Sequence, residues 1–190
     1  VVFAAATDDS RPVLTGVNFE LDKSGFTIAA ADGFRLAVEK VNFETEIIEP
    51  VKVIIPAKTL VELQRLLVDS SSNVKLALNT NGRSARFKLD NSEVVTSLVQ
   101  GTFPDYDKLI PDEFSTKAEV GLTEMIQATR AASIFARDGS GIIRLLISPQ
   151  NNGHLKIISR AEEVGSNENN IQADVHGLSL IHISEPTRPY

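Results

Sequence analysis

Residues 16–38, GVNFELDKSGFTIAAADGFRLAV, decide the fold of this chain. Two apolar segments flank the turn sequence DKSG at 22–25, which predicts a β-hairpin. The pair DG at 32–33 predicts a second, two-residue hairpin turn, because Asp-Gly accepts the positive φ angles that such turns need. The triplet FRL at 34–36 follows at once. It places apolar area beside a fixed charge, a combination that suits a peptide-binding groove.

Alternating apolar residues continue the strand pattern along the first 110 residues. In NVKLALNTNGRSARFKL (73–89), two apolar sets alternate with polar residues around a turn at 81–82. The first set is Val74, Leu76 and Leu78, and the second is Ala85, Phe87 and Leu89. NSEVVTSLVQ (91–100) predicts a further strand. Period-two alternation of this kind indicates antiparallel sheets with one solvated face.

Two segments predict helices. PAKTLVELQRLLVD (56–69) has a proline suited to a first helical turn and an apolar stripe of Leu60, Leu63 and Leu67. The opposite face carries charges of both signs, which favours a solvated surface with internal ion pairs. These charged residues are Lys58, Glu62, Arg65 and Asp69. GLTEMIQATRAASIFARDGS (121–140) predicts the second helix.

Composition excludes several classes of protein. The chain has 190 residues, no cysteine, 42% hydrophobic residues and a net charge of −6. A hydrophobic content of this size supports a packed core, and the missing cysteine excludes disulfides and thiolate metal sites. An acidic chain does not hold nucleic acid by bulk attraction. The sequence shows no membrane-spanning run or signal peptide, and VVFAAA (1–6) resembles the end of a helix, so we expect a fragment.

Catalytic patterns are missing from the sequence. The three histidines, His154, His176 and His182, have no neighbours at metal-ligand spacing. Acidic pairs occur at 8–9 and 105–107, but no third acid or histidine accompanies them, so surface loops are the favoured interpretation. A nuclease that uses these scattered acids with a metal stays open only if the fold brings carboxylates together.

A domain boundary and a repeat are visible in the sequence. GTFPDYDKLIPDEF (101–114) interrupts the strand pattern with two prolines and several acids, as linkers do. The segments 13–14 and 26–28 match 142–143 and 155–157 in pattern, at an offset of roughly 129 residues by direct counting. The sequence therefore predicts two similar units.

Four motifs together resemble the bacterial DNA polymerase III beta subunits, the sliding clamps. They are DDSRPVLTGV (8–17), AADGFRLAV (30–38), IIPAKTLVELQRLL (54–67) and GTFPDYDKLIP (101–111), and TRAASIFARDGSGIIRLLIS (129–148) fits the start of the family's third domain. The resemblance implies an α+β DNA-clamp fold, with repeated antiparallel sheets outside and helices lining the inner face. It implies a middle domain at 1–112, lacking most of its first helix, and half of a third domain at 113–177. The last residues, LSLIHISEPTRPY (178–190), instead resemble a translated sequencing adapter, so we expect a non-native tail.

The resemblance also implies function. Family members are non-catalytic processivity factors without cofactor or metal, and they form a homodimeric ring around double-stranded DNA without reading its sequence. They tether the replicative polymerase in the bacterial cytoplasm, at the nucleoid during replication, and have no membrane partner. The clamp loader and repair proteins also bind them, through short apolar peptides, in a groove between the middle and third domains.

The resemblance assigns roles to specific residues. The groove's middle-domain wall is expected at Leu14, Gly33, Phe34, Arg35, Leu36, Pro104 and Leu109. Ordinary core residues are the alternative for this set, most of all for Leu14 and Leu36, because a leucine on a strand is usually buried. The residues expected to face DNA are Arg11, Lys58, Arg65, Arg130 and Arg137, for which a solvated arginine or lysine is the alternative. Ile134 and Phe135 are expected at the dimer interface, with helix core as their alternative. Phe34 stands where the family often has histidine or tyrosine.

One further alternative belongs to a different class of protein. A stand-alone β-rich peptide-binding adaptor would keep the groove around Arg35 and would not encircle DNA. The balanced charges on the first predicted helix favour it, since such a protein needs no cationic inner surface. It does not explain why four spaced motifs match the clamp family together.

Overall fold

The structure is a computed structural model that describes residues 1–43, 49–67, 73–79, 83–137, 141–150, 153–163, 165–177 and 180–184. The chain folds into two compact units, Val1–Ile110 and Pro111–Tyr190. No helix in the described ranges is both long and apolar enough to cross a membrane.

Among its described residues, the first unit contains two antiparallel sheets and one α-helix. Its elements are β1 (Gly16–Asp22), β2 (Gly25–Ala31), β3 (Leu36–Asn42), β4 (Val51–Pro56), α1 (Ala57–Leu67), β5 (Lys75–Leu78), β6 (Ser84–Lys88) and β7 (Glu93–Ser97). One sheet has the order β3-β2-β1-β4 and the other the order β5-β6-β7. Short 3-10 turns lie at Val2–Ala4, Pro12–Thr15 and Asp107–Leu109. The α+β class with antiparallel sheets is confirmed.

The first predicted hairpin is confirmed and the second differs in its turn. Asp22 pairs with Gly25, so two residues connect β1 to β2. Ala31 pairs with Leu36, so four residues connect β2 to β3, and the predicted two-residue turn is wrong. The physical reason is the Asp32 side chain, which accepts hydrogen bonds from backbone amides two and three residues ahead and thereby stabilises a wider loop.

The leucine stripe of the first predicted helix is confirmed. Leu63 is buried, and Leu60 and Leu67 are half-buried in the same core cluster, which the apolar face of β5–β7 completes. That face consists of Leu76, Leu78, Ala85, Phe87 and Val94, and Leu89 joins the cluster just after β6. The proline at 56 ends β4 opposite Gly16 instead of starting the helix. Asp69 and the turn at 81–82 lie outside the described residues.

In the described part of the second unit, one five-stranded antiparallel sheet is covered by a helix. Its elements are β8 (Thr116–Val120), α2 (Leu122–Arg137), β9 (Ile143–Ser148), β10 (His154–Ala161), β11 (Gly165–Gly177) and β12 (Leu180–Ser184), and its sheet order is β12-β9-β10-β11-β8. The helix packs on the sheet through Ala128, Ala132 and Ala136, which lie one turn apart and are buried.

The strand order repeats between the units. The order β3-β2-β1-β4 of the first unit has its counterpart in β11-β10-β9-β12 of the second, so the predicted repeat is confirmed in topology. β12 therefore stands where β4 stands in the first unit. It lies within the segment 178–190 that the sequence suggested to be a non-native tail, whereas 178–179 and 185–190 lie outside the described residues. The origin of the tail stays a prediction.

Candidate functional site

The β2–β3 loop is organised by one carboxylate. Asp32 Oδ1 accepts hydrogen bonds from the backbone N–H groups of Phe34, at 2.9 Å, and Arg35, at 2.8 Å. Its Oδ2 accepts from Arg35 Nε at 2.8 Å and lies 2.7 Å from Arg35 Nη2. A fork of two N–H groups on one carboxylate fixes the guanidinium direction better than a single contact does. The loop is thus shaped before any ligand arrives.

The electrostatics of Asp32 agree with this geometry. Burial raises the pKa of the Asp32 carboxyl, but the hydrogen bonds from the Phe34 and Arg35 amides and from the Arg35 guanidinium outweigh burial. The pKa is therefore held below its ordinary value. Asp32 is an anion at neutral pH and can keep the Arg35 side chain, which is 31% exposed, in one place.

The loop presents an aromatic side chain to solvent. Phe34 is 95% exposed, although moving a phenylalanine side chain out of water usually lowers the free energy of the folded protein. Gly33, the residue before it, has a backbone φ of +94°, a value that residues other than glycine rarely adopt. The structure therefore explains why glycine stands at 33 and shows that Phe34 faces solvent.

Two other predicted groove residues belong to the core under this loop. Leu14 is 7% exposed and Leu36 is half-buried, and both pack in one cluster with Phe103 and Tyr106. Leu14 therefore supports the surface from below, because almost none of its own area is open to a ligand. Leu36 connects the loop to the same cluster.

The remaining predicted groove residues lie on a segment anchored in that cluster. The ring centroids of Phe103 and Tyr106 lie 6.3 Å apart, with the rings packed edge to face. Burial is the main reason why the pKa of the Tyr106 phenol is raised. Pro104, which lies between these two buried rings in the sequence, is exposed. Leu109, three residues after Tyr106, is 70% exposed. The Leu109 amide donates to the Tyr106 carbonyl at 2.9 Å. Exposed apolar side chains thus flank one cluster on two segments.

The residues predicted to face DNA have different surroundings. Lys58 and Arg65 are exposed on α1, and Arg65 Nη1 lies 2.7 Å from Glu62 Oε1. Arg130 and Arg137 are exposed on α2. Arg11 instead donates from Nη2 to the Asp32 carbonyl at 2.7 Å, so the structure places it against the β2–β3 loop.

The two residues predicted at a dimer interface differ in burial. Ile134 is 53% exposed on α2, whereas Phe135 is half-buried. An isoleucine with half of its surface in water is available to another protein surface. The half-buried Phe135 has one side against its own unit.

The acids of the described residues do not assemble a metal site. Nowhere in the described ranges do three or more histidine, cysteine, aspartate or glutamate side chains lie where they would hold one ion. The metal-dependent nuclease that the sequence left open therefore finds no site in this part of the chain.

Sequence reasoning missed the residue at the centre of the loop. In the sequence Asp32 is part of a turn signal, yet in the structure its carboxylate binds two backbone amides and the Arg35 side chain. An aspartate three residues before an arginine, with glycine between them, is the pattern that indicates such an arrangement. The Arg11 contact crosses 21 residues of sequence, so no local pattern predicts it.

Known proteins match both the sequence and the fold. The family described as "DNA polymerase III beta subunit, central domain" matches residues 1–105. A beta sliding clamp of Staphylococcus aureus is 32% identical over 180 residues, which cover 94% of this chain and 46% of that protein. One of Bacillus subtilis is 33% identical over 174 residues, or 91% of this chain and 45% of its relative. The chain thus spans about half the length of the curated relatives it matches.

Solved structures agree with the sequence matches. The sliding clamp of Bacillus subtilis aligns with a TM-score of 0.88 and 32% identity, over 97% of this chain and 48% of that one. The DNA polymerase III beta subunit of Thermotoga maritima aligns with a TM-score of 0.81 and 27% identity, over 96% and 48%. The fold is therefore that of the DNA clamps, and the chain belongs to the family of the DNA polymerase III beta subunit through that family's central domain.

Proposed function

We propose that this chain serves as part of a ring-forming sliding clamp, a non-catalytic processivity factor of bacterial DNA replication. In this role it encircles double-stranded DNA without reading its sequence, as a homodimer in the bacterial cytoplasm at the nucleoid. It tethers the replicative polymerase and also receives the clamp loader and repair proteins. Residues 1–112 act as the middle domain and 113–177 as the start of the third.

The β2–β3 loop is the observation that carries the partner-binding role. Phe34 is 95% exposed, and Arg35 beside it is oriented by Asp32. An exposed aromatic next to a fixed cation suits a peptide with apolar side chains and a carboxylate or carbonyl group. Leu36, Pro104 and Leu109 extend the apolar surface on segments that share one core cluster with the loop.

The DNA-binding role is supported by exposed cations on the helices. Lys58, Arg65, Arg130 and Arg137 supply phosphate contacts, and Arg11 is a fifth cation that the family resemblance assigns to DNA. The Arg65–Glu62 pair keeps the contact weak, as sliding requires, because a phosphate competes with Glu62 for the guanidinium. Ile134 and Phe135 contribute to the ring interface in this proposal.

A peptide titration tests the partner-binding role. A fluorescein-labelled peptide is made from the C-terminal ten residues of the Bacillus subtilis replicative polymerase, and its anisotropy is followed while the 190-residue chain is added. We expect a Kd in the micromolar range, roughly −8 kcal/mol. Phe34→Ala is expected to weaken binding about tenfold, because an aromatic face buried by the peptide is lost.

The matched control is Phe3→Ala, which removes another exposed phenylalanine from the same unit. It is expected to bind the peptide like the unchanged chain. Equal affinities for the unchanged chain, Phe34→Ala and Arg35→Ala would exclude the groove at this loop. Circular dichroism of each variant shows that a loss of binding is not a loss of folding.

The peptide-binding adaptor remains the second candidate, because the ion pair of Arg65 with Glu62 leaves α1 with little free positive charge. A hybrid separates the two functions. Residues 1–105 replace the matching residues of the Bacillus subtilis clamp, and the protein is loaded on a nicked circular plasmid. A clamp stays on the circle and leaves when the DNA is cut. An adaptor binds the peptide and is not retained on the circle.

A further inference from the structure

Arg11 makes a contact with the β2–β3 loop that its expected DNA role does not use. Its Nη2 donates to the carbonyl oxygen of Asp32 at 2.7 Å. A methyl group built on Gly33 would lie 2.6 Å from Arg11 Nη1 and 3.4 Å from both Cζ and Nη2. The whole guanidinium therefore lies against the backbone of Gly33, in space that any side chain at 33 would fill.

The main chain at Arg11 gives this contact a firm base. The Arg11 carbonyl accepts from the Leu14 amide at 2.9 Å, which begins the 3-10 turn at Pro12–Thr15. The Leu14 carbonyl in turn accepts from the Ala6 amide at 2.9 Å, and the Leu14 side chain is buried. The guanidinium thus reaches the loop from a turn that is itself tied to the core.

Two arginines bind different atoms of the same aspartate. Arg35, which lies within the loop, donates to the Asp32 carboxylate. Arg11, which lies outside the loop, donates to the Asp32 main-chain carbonyl. The carboxylate sets the internal shape of the loop, through the amides of Phe34 and Arg35. The Arg11 contact fixes where that shaped loop lies relative to the 3-10 turn. A charged donor makes a stronger hydrogen bond than a neutral one.

We propose that Arg11 is a positioning residue of the partner-binding site, holding the loop so that Phe34 and Arg35 are presented in a fixed direction. This inference rests on the proposed function. Arg11 does not contact the peptide; it lowers the cost of binding by ordering the loop in advance.

The test uses Arg11→Met, which removes the donors and keeps the side-chain stem, and Arg11→Lys, which restores one charged donor. The 190-residue chain is measured with the Bacillus subtilis polymerase peptide and, without peptide, by amide hydrogen exchange. Arg11→Met is expected to weaken peptide binding about fivefold and to speed exchange at the Phe34 and Arg35 amides about fivefold. Arg11→Lys is expected to lie between. Lys23→Met, which removes an exposed cation from the β1–β2 turn, is the control and changes neither quantity.

The other possible results of these two measurements would contradict either the positioning role of Arg11 or the proposed partner-binding function. Weaker binding with unchanged exchange would show that Arg11 contacts the peptide directly, which overturns the positioning role. Unchanged binding and exchange would leave Arg11 with its DNA role alone. If the unchanged chain does not bind the peptide, the proposed partner-binding function fails, whereas the exchange measurement still shows whether Arg11 holds the loop.

A second variant keeps the inference testable if Arg11→Met lowers the stability of the fold. In Gly33→Ala the new methyl group displaces the end of the Arg11 side chain, and the positive φ adds a backbone cost. Displacement of Arg11 predicts that Gly33→Ala weakens peptide binding less in the Arg11→Met background than in the unchanged chain. Additive effects of the two substitutions would contradict contact between the residues.

Discussion

The two helices solve the same packing problem with side chains of different size. α1 contacts its core through Leu60, Leu63 and Leu67, whereas α2 uses Ala128, Ala132 and Ala136. The α2 backbone comes within 8 Å of β10 and β11 at many points, whereas α1 comes this close to β4 and β1 at few. Large side chains hold a helix away from a sheet and small ones admit it closely. The difference shows that a helix position depends on side-chain volume as well as on apolar periodicity.

The connections at the same place in the two repeats differ as well. The β2–β3 loop carries Phe34 and Arg35, organised by Asp32. In the second unit, Ala161 pairs with Gly165, and the shorter β10–β11 connection has exposed Glu162 and Glu163. One strand order thus supports an aromatic loop with an internal ion pair in one unit and an acidic connection in the other. Loops carry the functional difference because substitutions there do not disturb the core.

Removal of a large side chain from α1 is expected to have the largest effect. Leu63 is 7% exposed, so Leu63→Ala leaves a cavity under the helix and lowers the free energy of unfolding by about 3 kcal/mol. Urea denaturation measures this change. Leu66→Ala is the control on the same helix, because Leu66 is 46% exposed and its loss costs less than about 1 kcal/mol. Equal losses would contradict the packing of α1.

Addition of a large side chain to the buried face of α2 is also expected to lower stability. Ala132 is fully buried in the core between α2 and the sheet, so Ala132→Leu adds volume to a packed region and costs about 2 kcal/mol by urea denaturation. Gln127→Leu puts the same side chain on an exposed position of the helix and is expected to change stability by less than about 0.5 kcal/mol. A neutral Ala132→Leu would show that helix and sheet are not in close contact.

The loop comparison predicts a smaller, pH-dependent effect. Asp32→Asn removes the charge that holds Arg35 and is expected to cost about 1 kcal/mol at pH 7. Because folding lowers the pKa of Asp32, its contribution is present above the unfolded pKa, about 3.9, and is lost as the pH falls through the lower folded value. Urea denaturation at pH 7 and in steps below pH 4 measures the difference between the two proteins.

The matched change in the second unit is Glu163→Gln, at an exposed glutamate of the β10–β11 connection. It is expected to change stability by less than about 0.5 kcal/mol at pH 7. A difference between Asp32→Asn and the unchanged chain that persists at a pH where Asp32 is protonated would show that shape, and not charge, makes the aspartate important.

Sequence patterns predicted much of this protein because they are local. The alternation around β1, β2, β5 and β6 and the leucine stripe of α1 reflect burial of one face, which the order of residues records directly. The repeat was visible as a recurring pattern, and the motifs at 8–17, 30–38, 54–67 and 101–111 indicated the clamp family that the comparisons show. The α+β class and the family therefore needed only the order of residues.

Other properties required the folded structure. The length of the β2–β3 loop follows from the local hydrogen bonds of Asp32, which the Asp-Gly turn signal alone does not predict. Two further properties depend on residues distant in sequence. The burial of Leu14 follows from Phe103 and Tyr106, which join its cluster from far along the chain. The contact of Arg11 with Asp32 forms only when the 3-10 turn and the loop are brought together. Sequence by itself determined the strands, the helices and the family, and the folded chain decided which of their side chains meet.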